Sequence, residues 1–180
     1  MTRYVAFLRA INVGGHIVKM ETLRELFTAH GFAKVETFIA SGNVIFESKA
    51  AADMKLELAI ERRLESALGY GVAVFVRSDA EVRAISAYQP FSSAALKASQ
   101  TLNIGFLRDP LSPSALNALM NLKTPIDDFH VHGRELYWLC RKKQSESTFS
   151  NKAFERAIQG VSTFRNATTI AKLAAKYPAA

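Results

Sequence analysis

The sequence has few of the features that would assign it to a membrane or a secretory pathway. It contains a single cysteine, Cys140, which cannot form an intrachain disulfide and is typical of a reducing cytosol. No apolar run reaches the ~18 residues that a membrane-spanning helix needs. The first residues, MTRYVAFLRAIN, are interrupted by Arg9 and lack a small-residue cleavage site, so no signal peptide is predicted. These absences predict a cytoplasmic protein with no membrane partner.

Common signatures of catalysis and cofactor binding are also missing. The sequence has no G-x-S-x-G elbow, H-E-x-x-H motif or C-x-x-C pair. It also lacks the nucleotide signatures G-x-x-x-x-G-K-[ST] and G-x-G-x-x-G. His130 and His132 would share one face of a strand, but two ligands are too few for a metal site. We therefore predict no metal and no cofactor, identify no catalytic residue, and leave open whether the protein is an enzyme.

The composition is that of a soluble globular protein whose charge is unevenly distributed. Hydrophobic residues make up 49% of the chain and charged residues 22%, and 180 residues suit one domain or two small subdomains. The net charge is +7, and from Arg134 onwards nine Lys and Arg face only three Asp and Glu. A basic end on a nearly neutral body indicates an anionic partner, or lysines and arginines that only solvate the surface.

Over residues 4–77 the pattern predicts the order β-α-β-β-α-β. YVAFLR (4–9) and VAVFVR (72–77) are apolar, β-prone runs, and helical spacing of apolar residues separates them from a hairpin at 35–48. Gly42-Asn43 is expected to form that hairpin's two-residue type II′ turn. This order is the ferredoxin-like pattern, which predicts an antiparallel sheet with strands 1 and 3 central and both helices on one face.

The second half of the chain is expected to form a related but incomplete subdomain. From residue 101 the order is β-α-β-β-α-α, a ferredoxin-like unit that lacks its last strand. Its first strand ends in Phe106-Leu107-Arg108, as the first strand of the chain ends in Phe7-Leu8-Arg9, which suggests a divergent structural repeat. The fold class predicted is α+β, with a ferredoxin-like subdomain over residues 1–78 packed with a second α+β subdomain over 79–180 that carries the basic C-terminal helices.

Topology brings two polar loops to one end of the predicted first sheet. The loop after strand 1 and the turn between strands 2 and 3 must lie together, which juxtaposes Asn12, Gly14 and Gly15 with Ser41, Gly42 and Asn43. Lys19 stands at the start of a helix, whose exposed N–H groups favour an anion, and Arg9 adds a charged fork. Such a site suits a phosphate, a carboxylate or a nucleobase. Alternatively, the glycines and asparagines serve only tight turns.

The basic C-terminal segment suggests a second kind of ligand. Residues 141–157, RKKQSESTFSNKAFERA, combine consecutive cations with a polar loop, and Phe149 or Tyr137 could stack on a base. The alternative is a solvated loop with Phe149 in the core. Asn166 is a natural N-cap for the last helix, and Arg165 beside it either braces neighbouring carbonyls or reaches into a shared site.

Three stretches resemble an uncharacterised, largely bacterial family, domain of unknown function sixteen-ninety-seven. They are YVAFLRAINVGGHIVKMETLRELFTAHGF, FIASGNVIFES and SNKAFERAI…TFRNATTIAKL. The family pattern maps onto Arg9, Asn12, Gly14, Gly15, Lys19, Ser41, Gly42, Asn43, Ser150, Lys152, Thr163, Arg165, Asn166 and Thr169. The chain departs from it at Ala10, where glycine is usual, and at Ala167, where an aromatic residue is common. The resemblance implies a two-lobed α+β fold with a ferredoxin-like part and brings no assigned reaction.

Three functional hypotheses follow. The first is a small anionic or nucleotide-like ligand bound in a cleft, with the glycine loop and the Ser41–Asn43 turn as its floor and Lys152 and Arg165 as its opposite wall. In it, Arg9, Lys19, Lys152 and Arg165 neutralise charge, while Asn12, Asn43 and Asn166 orient the ligand. The second is a nucleic-acid-binding module that uses the basic segment and an open sheet face. The third is an enzyme of unknown reaction in the same cleft. The oligomeric state is not predicted.

Overall fold

The computed structural model describes residues 1–12, 14–40 and 42–178. The chain forms two compact units, the first comprising residues 1–84 and 173–180 and the second residues 85–172. The predicted subdomain boundary lies a few residues earlier and assigns the C-terminus to the second unit. The end of the chain belongs instead with the first unit, because Tyr177 Oη donates to Glu36 Oε2 at 2.7 Å. No local sequence pattern predicts this contact between distant residues.

The first unit contains one four-stranded antiparallel sheet in the order β2-β3-β1-β4. The predicted arrangement, with strands 1 and 3 central, is therefore confirmed. Its elements, in chain order, are β1 (Thr2–Leu8), α1 (Met20–Ala29), β2 (Ala33–Thr37), β3 (Asn43–Ser48), α2 (Met54–Leu68) and β4 (Val74–Ser78), and α3 (Asp79–Ala87) follows across the boundary after residue 84. Ser78 and Glu81 form a capping box at the start of α3, with hydrogen bonds of 2.7 and 3.1 Å.

Helices α1 and α2 cover one face of this sheet. Alternate residues of β1, Tyr4, Ala6 and Leu8, lie in the same buried cluster as Leu23 of α1 and Ile60 of α2. Since alternate residues of a strand point to one face, both helices pack on that face, as the predicted order requires.

The link between β2 and β3 differs from the predicted two-residue turn. The hairpin itself is confirmed, but residues 38–42 connect its strands and Asn43 is the first residue of β3. Asn43 is fully buried, and its Nδ2 donates to the Phe38 carbonyl at 3.0 Å, while Phe38 N–H donates to Asn43 O at 2.9 Å. The type II′ prediction is wrong because Asn43 closes a longer connection from inside the sheet.

Two glutamates of α2 bind the backbone of the outer strand β4. Glu61 Oε1 accepts from Val74 N–H and Glu57 Oε1 from Val76 N–H, both at 2.8 Å. These glutamates lie one helical turn apart, which matches the two-residue spacing of amides that point away from β1. Carboxylates thus occupy the hydrogen-bonding edge of β4.

The second unit repeats the strand order of the first, β6-β7-β5-β8. After α4 (Ser93–Lys97) come β5 (Thr101–Phe106), α5 (Pro113–Met120), β6 (Asp127–His132), β7 (Glu135–Cys140), α6 (Asn151–Ile158) and β8 (Thr163–Asn166), and α7 (Ala167–Lys176) follows across the boundary after residue 172. The expectation of an incomplete second subdomain is wrong, because β8 supplies the last strand and pairs with β5. Its four residues, TFRN, are too few and too polar to show an apolar alternation.

The two sheets also share their register. Leu8 N–H donates to the Gly42 carbonyl at 2.8 Å, and Leu107 N–H donates to the Arg134 carbonyl at 3.0 Å, each bond closing the end of the central strand pair. The triplets Phe7-Leu8-Arg9 and Phe106-Leu107-Arg108 therefore hold equivalent positions. The structural repeat suggested by these triplets is present in both strand order and register.

The same equivalence relates two buried arginines. Arg77 of β4 pairs with Val5, and Arg165 of β8 pairs with Ile104 at the matching register. Each arginine donates from Nη1 to the carbonyl of the residue before it, at 2.9 Å in Arg77 and 2.8 Å in Arg165. Burial lowers the pKa of Arg165 to about 10. Arg165 thus braces a neighbouring carbonyl, one of the two roles considered for it.

At one pair of equivalent positions the two units differ in the size of the facing side chains. A double-mutant cycle can test the energetic consequence of this difference. Ala6 faces Val76 in the first unit, whereas Gly105 faces Phe164 in the second. A Cβ on Gly105 would lie 2.7 Å from Phe164 Cε1, so Gly105→Ala is expected to lower the free energy of unfolding by about 1–3 kcal/mol. In a Phe164→Val background the same change should be neutral or stabilising by up to about 1 kcal/mol.

Urea unfolding of the four proteins in this double-mutant cycle measures the coupling. The Phe164→Val variant alone serves as the reference, because it loses aromatic core packing of its own. An equal cost of Gly105→Ala in both backgrounds would show that the Phe164 ring is not what the Cβ meets.

Candidate ligand-binding loops of the first unit

Three connections meet at one end of the first sheet, and together we call them the loop site: residues 9–19, 38–42 and 69–73. Asn12 Nδ2 donates to the Ala40 carbonyl at 3.2 Å, which joins the first two connections. Tyr70 Oη donates to the Ile11 carbonyl at 3.2 Å, which joins the third to the first. The prediction that the glycine loop lies beside the β2–β3 connection is confirmed.

Asn12 holds the loop site together from within. Besides its bond to Ala40, its Oδ1 accepts from Val18 N–H at 2.7 Å, closing the loop across six residues of sequence. Its side-chain amide is therefore engaged at both ends. Asn12 positions the loop, a role different from the ligand-orienting one expected for it.

Gly14 and Gly15 form the exposed apex of the loop. Their φ angles are +65° and +85°, in the left-handed region that glycine adopts at little cost. A Cβ at either position would meet open space, so backbone conformation and not packing requires glycine here. The backbone of this apex is accessible to a ligand.

Two cationic residues lie on either side of the apex along the sequence. Lys19 is exposed at the N-cap of α1, and Arg9 is half-buried at the end of β1, where its backbone N–H donates to Ala73 O at 2.8 Å. The first turn of α1 already carries Glu21, whose pKa is lowered by its own backbone hydrogen bond, by Arg24 and, least, by Lys19. An anion is thus better placed between the glycine apex and Lys19 than on the helix end.

The loop site also concentrates left-handed backbone at residues other than glycine. Ala10 has φ +55° and Ile39 has φ +51°, and the second is an uncommon conformation for a β-branched side chain. Ile39 is 52% exposed and Ile17 is 88% exposed. Such strain costs of order 1–3 kcal/mol per residue and tends to gather where a protein binds ligands. The φ of Ala10 lies in the region that glycine adopts at less cost.

An aromatic pair that sequence reasoning missed lies at the same loops. The His16 imidazole stacks on the Tyr70 ring with centroids 3.9 Å apart and planes at 24°. No spacing in the sequence connects these residues. Topology offered a signal, because the connection from α2 to β4 must end where β1 ends.

Other predicted ligand residues lie elsewhere or have structural roles. Asn43 is buried and bonded to Phe38, so it presents no amide at the surface. Ser41 lies outside the described residues. Gly42 is buried beneath the loop, where a Cβ would lie 2.8 Å from Ile11 Cγ2.

Three predicted ligand residues, the two of the opposite wall and Asn166, belong to the second unit. Lys152 is exposed near the start of α6, while Asn166 Oδ1 accepts from Thr168 N–H at 2.9 Å, which confirms Asn166 as a helix cap. Arg165 is 8% exposed, and its Nη1 donates to Thr163 Oγ1 at 3.0 Å as well as to Phe164 O. Of the three, Lys152 alone has a largely exposed cation.

The two aromatic residues predicted to stack on nucleic-acid bases are buried in the second unit. Phe149 is 6% exposed in the core of the second unit, and Tyr137 is 1% exposed with its Oη donating to Ile85 O at 3.3 Å. Burial raises the pKa of Tyr137. Because every residue of β7 is buried, this central strand presents no open sheet face. Stacking by Phe149 or Tyr137 is therefore wrong, while use of the basic segment, which is exposed in part, and of an open sheet face elsewhere stays a prediction.

The histidine pair is engaged with one tyrosine. His130 Nε2 lies 2.8 Å from Tyr88 Oη, and the His132 ring stacks on Tyr88 with centroids 4.1 Å apart. Over residues 1–12, 14–40 and 42–178, no group of three or more side chains is arranged to hold a metal ion. Within the same residues, no helix is both long and apolar enough to cross a membrane.

The chain matches a protein family of unknown function and is similar in fold to a solved bacterial protein. A family model described as "Protein of unknown function (DUF1697)" matches residues 1–137. The structure is similar to that of the conserved bacterial protein SP0830 from Streptococcus pneumoniae, with a TM-score of 0.79 and 22% identity over 98% of both chains. At this identity the likeness shows the fold alone. None of the curated proteins matches the chain.

Proposed function

We propose that this chain, which belongs to the DUF1697 family of proteins of unknown function, binds a small anionic or nucleotide-like molecule at the loop site. A cytoplasmic location, expected from the lone cysteine, is part of the proposal. The family and the fold carry no reaction, so the proposal rests on the chemistry of these loops.

The observation that carries the proposal is a comparison of the two units. Residues 9–19 connect β1 to α1, whereas residues 108–112 suffice at the equivalent place in the second unit. Residues 38–42 connect β2 to β3, whereas the two residues 133–134 suffice between β6 and β7. The fold therefore does not need the extra length, and both additions contact each other through Asn12 and Ala40. Loops longer than a scaffold requires are where binding residues are commonly found.

The chemistry of the added loops favours an anion. Lys19 supplies an exposed ammonium, Arg9 a guanidinium, and the Gly14–Gly15 apex an accessible backbone whose N–H groups can approach a ligand closely. The tie from Asn12 to Val18 holds this loop closed, so less order has to be gained on binding. The further idea that Lys152, Arg165 and Asn166 complete the site stays a prediction.

A thermal-melting screen in low salt tests the proposal with nucleotides, sugar phosphates, carboxylates and short RNA and DNA oligomers. A ligand at ~100 times its Kd stabilises the fold by about 2.7 kcal/mol, which corresponds to a rise in Tm of about 5–10 °C. Arg9→Ala and Lys19→Ala are each expected to weaken binding by about ten- to a hundredfold, because each removes a charge-assisted contact.

Arg108→Ala is the matched control, since Arg108 holds in the second unit the position that Arg9 holds in the first. It should leave binding unchanged. Binding lost in Arg108→Ala and kept in Arg9→Ala would move the site to the second unit. A shift with oligomers alone, declining with salt, would favour a nucleic-acid module instead.

A further inference from the structure

We infer that the ligand of the loop site contains a flat aromatic ring, and that this ring stacks on the outer face of His16. The inference rests on the proposed function and narrows its ligand class from small anions in general to nucleotides. The juxtaposition that carries it is an exposed, stacked imidazole between the glycine apex and Lys19.

The His16 ring is supported on one side and exposed on the other. Tyr70 covers one face at 3.9 Å in a near-parallel stack, and His16 is nevertheless an exposed residue, so its outer face and edge supply the exposed area. Tyr70 is itself fixed by its hydrogen bond to the Ile11 carbonyl. A ring held in place with one free face is a stacking platform, and a base stacked on such a ring gains affinity without sequence-specific contacts.

His16 and Lys19 are close enough in the chain for a single ligand to contact both side chains. His16 directly follows Gly14 and Gly15, and Lys19 is three residues further on, so the Cα atoms of His16 and Lys19 are at most ~11 Å apart. A nucleoside monophosphate spans such an interval with its base at one end and its phosphate at the other. A bare phosphate or sugar phosphate would use only the cationic end.

The stack belongs to the added loops and not to the repeated fold. The equivalent connections of the second unit, residues 108–112 and 159–162, read RDPLS and QGVS and contain no aromatic residue. A purely structural need for a ring pair at this end of the sheet would apply to both units. We therefore attribute His16 and Tyr70 to the ligand-binding role proposed for the added loops.

Isothermal titration of the full chain with four probes tests this inference: AMP, GMP, ribose 5-phosphate and pyrophosphate. At least one nucleotide is expected to bind ten- to a hundredfold more tightly than ribose 5-phosphate, the usual effect of one stacked base. His16→Ala should abolish that ratio while the affinity for ribose 5-phosphate is unchanged. His16→Phe should preserve the ratio, because it keeps a ring in place.

Tyr70→Phe controls for the support of the platform, since it keeps the ring and removes only the hydrogen bond to Ile11. Equal affinities for nucleotides and ribose 5-phosphate, or a ratio that survives His16→Ala, would overturn the inference and leave the proposed function standing. Absence of binding by all four probes would count against both. Melting curves of each variant establish that an altered affinity does not arise from unfolding.

Discussion

Asp127→Ala is expected to lower the free energy of unfolding by about 3–5 kcal/mol, a large part of the 5–15 kcal/mol typical of a folded protein. Asp127 is 1% exposed and accepts hydrogen bonds from three side chains: Trp138 Nε1 at 2.8 Å, Thr124 Oγ1 at 2.7 Å and Ser147 Oγ at 2.8 and 2.9 Å. Removing the carboxylate leaves the buried Trp138 donor and the two partly buried hydroxyls without their acceptor, and an unsatisfied buried donor costs about 1–3 kcal/mol.

Asp128→Ala is the control, since it removes the neighbouring carboxylate from the same strand. Asp128 is partly exposed and pairs with Lys123 at 2.6 Å and Arg141 at 3.7 Å, so its loss should cost at most about 1 kcal/mol. Urea unfolding followed by the fluorescence of Trp138, the single tryptophan, measures both variants at the affected place. Similar costs for the two aspartates would refute the assignment of the network to Asp127.

Gly42→Ala is expected to lower the free energy of unfolding by about 2–4 kcal/mol and to disturb the loop site. Its φ of +74° imposes about 1–2 kcal/mol on any residue with a Cβ. That Cβ would lie 2.8 Å from Ile11 Cγ2 and 3.2 Å from Leu8 Cβ, which adds an overpacking cost of about 1–3 kcal/mol. Relief of the clash requires residues 9–19 to move, so ligand affinity should fall with stability.

Gly31→Ala separates the two contributions, because Gly31 has φ +98° but open space around its Cβ position. Gly31→Ala should lower the free energy of unfolding only by the cost of the left-handed backbone, without an overpacking cost. It should leave ligand binding intact. Thermal or urea unfolding compares the two variants directly. If Gly42→Ala costs no more than Gly31→Ala, the packing of Gly42 against Ile11 does not stabilise the loop site.

Much of the fold could be predicted from the sequence because its signals are local and agree with one another. Apolar spacing predicted α1 and α2, and the order of elements predicted the central strands. The meeting of Asn12 with the β2–β3 connection followed from topology without knowledge of side chains.

The remaining features depend on contacts between distant parts of the chain. Strand β8 is defined by its pairing with β5, and four residues are too few for a pattern of their own. Asn43 has the sequence of a turn residue, yet burial and the bond to Phe38 place it inside β3. His16 and Tyr70 come from separate connections, so their stack exists only in the folded chain.

The glutamates of α2 have a consequence for how copies of this protein coexist at high concentration. An outer strand with open amides is a template on which a neighbouring copy can add a strand and begin to aggregate. Glu57 and Glu61 occupy the amides of Val76 and Val74, and in the second unit Glu155 occupies that of Ser162 at 2.7 Å. A second copy would have to displace these carboxylates, of which that of Glu57 is buried, before it could pair at these amides. These acidic side chains thus oppose strand addition along β4 in the first unit and just before β8 in the second.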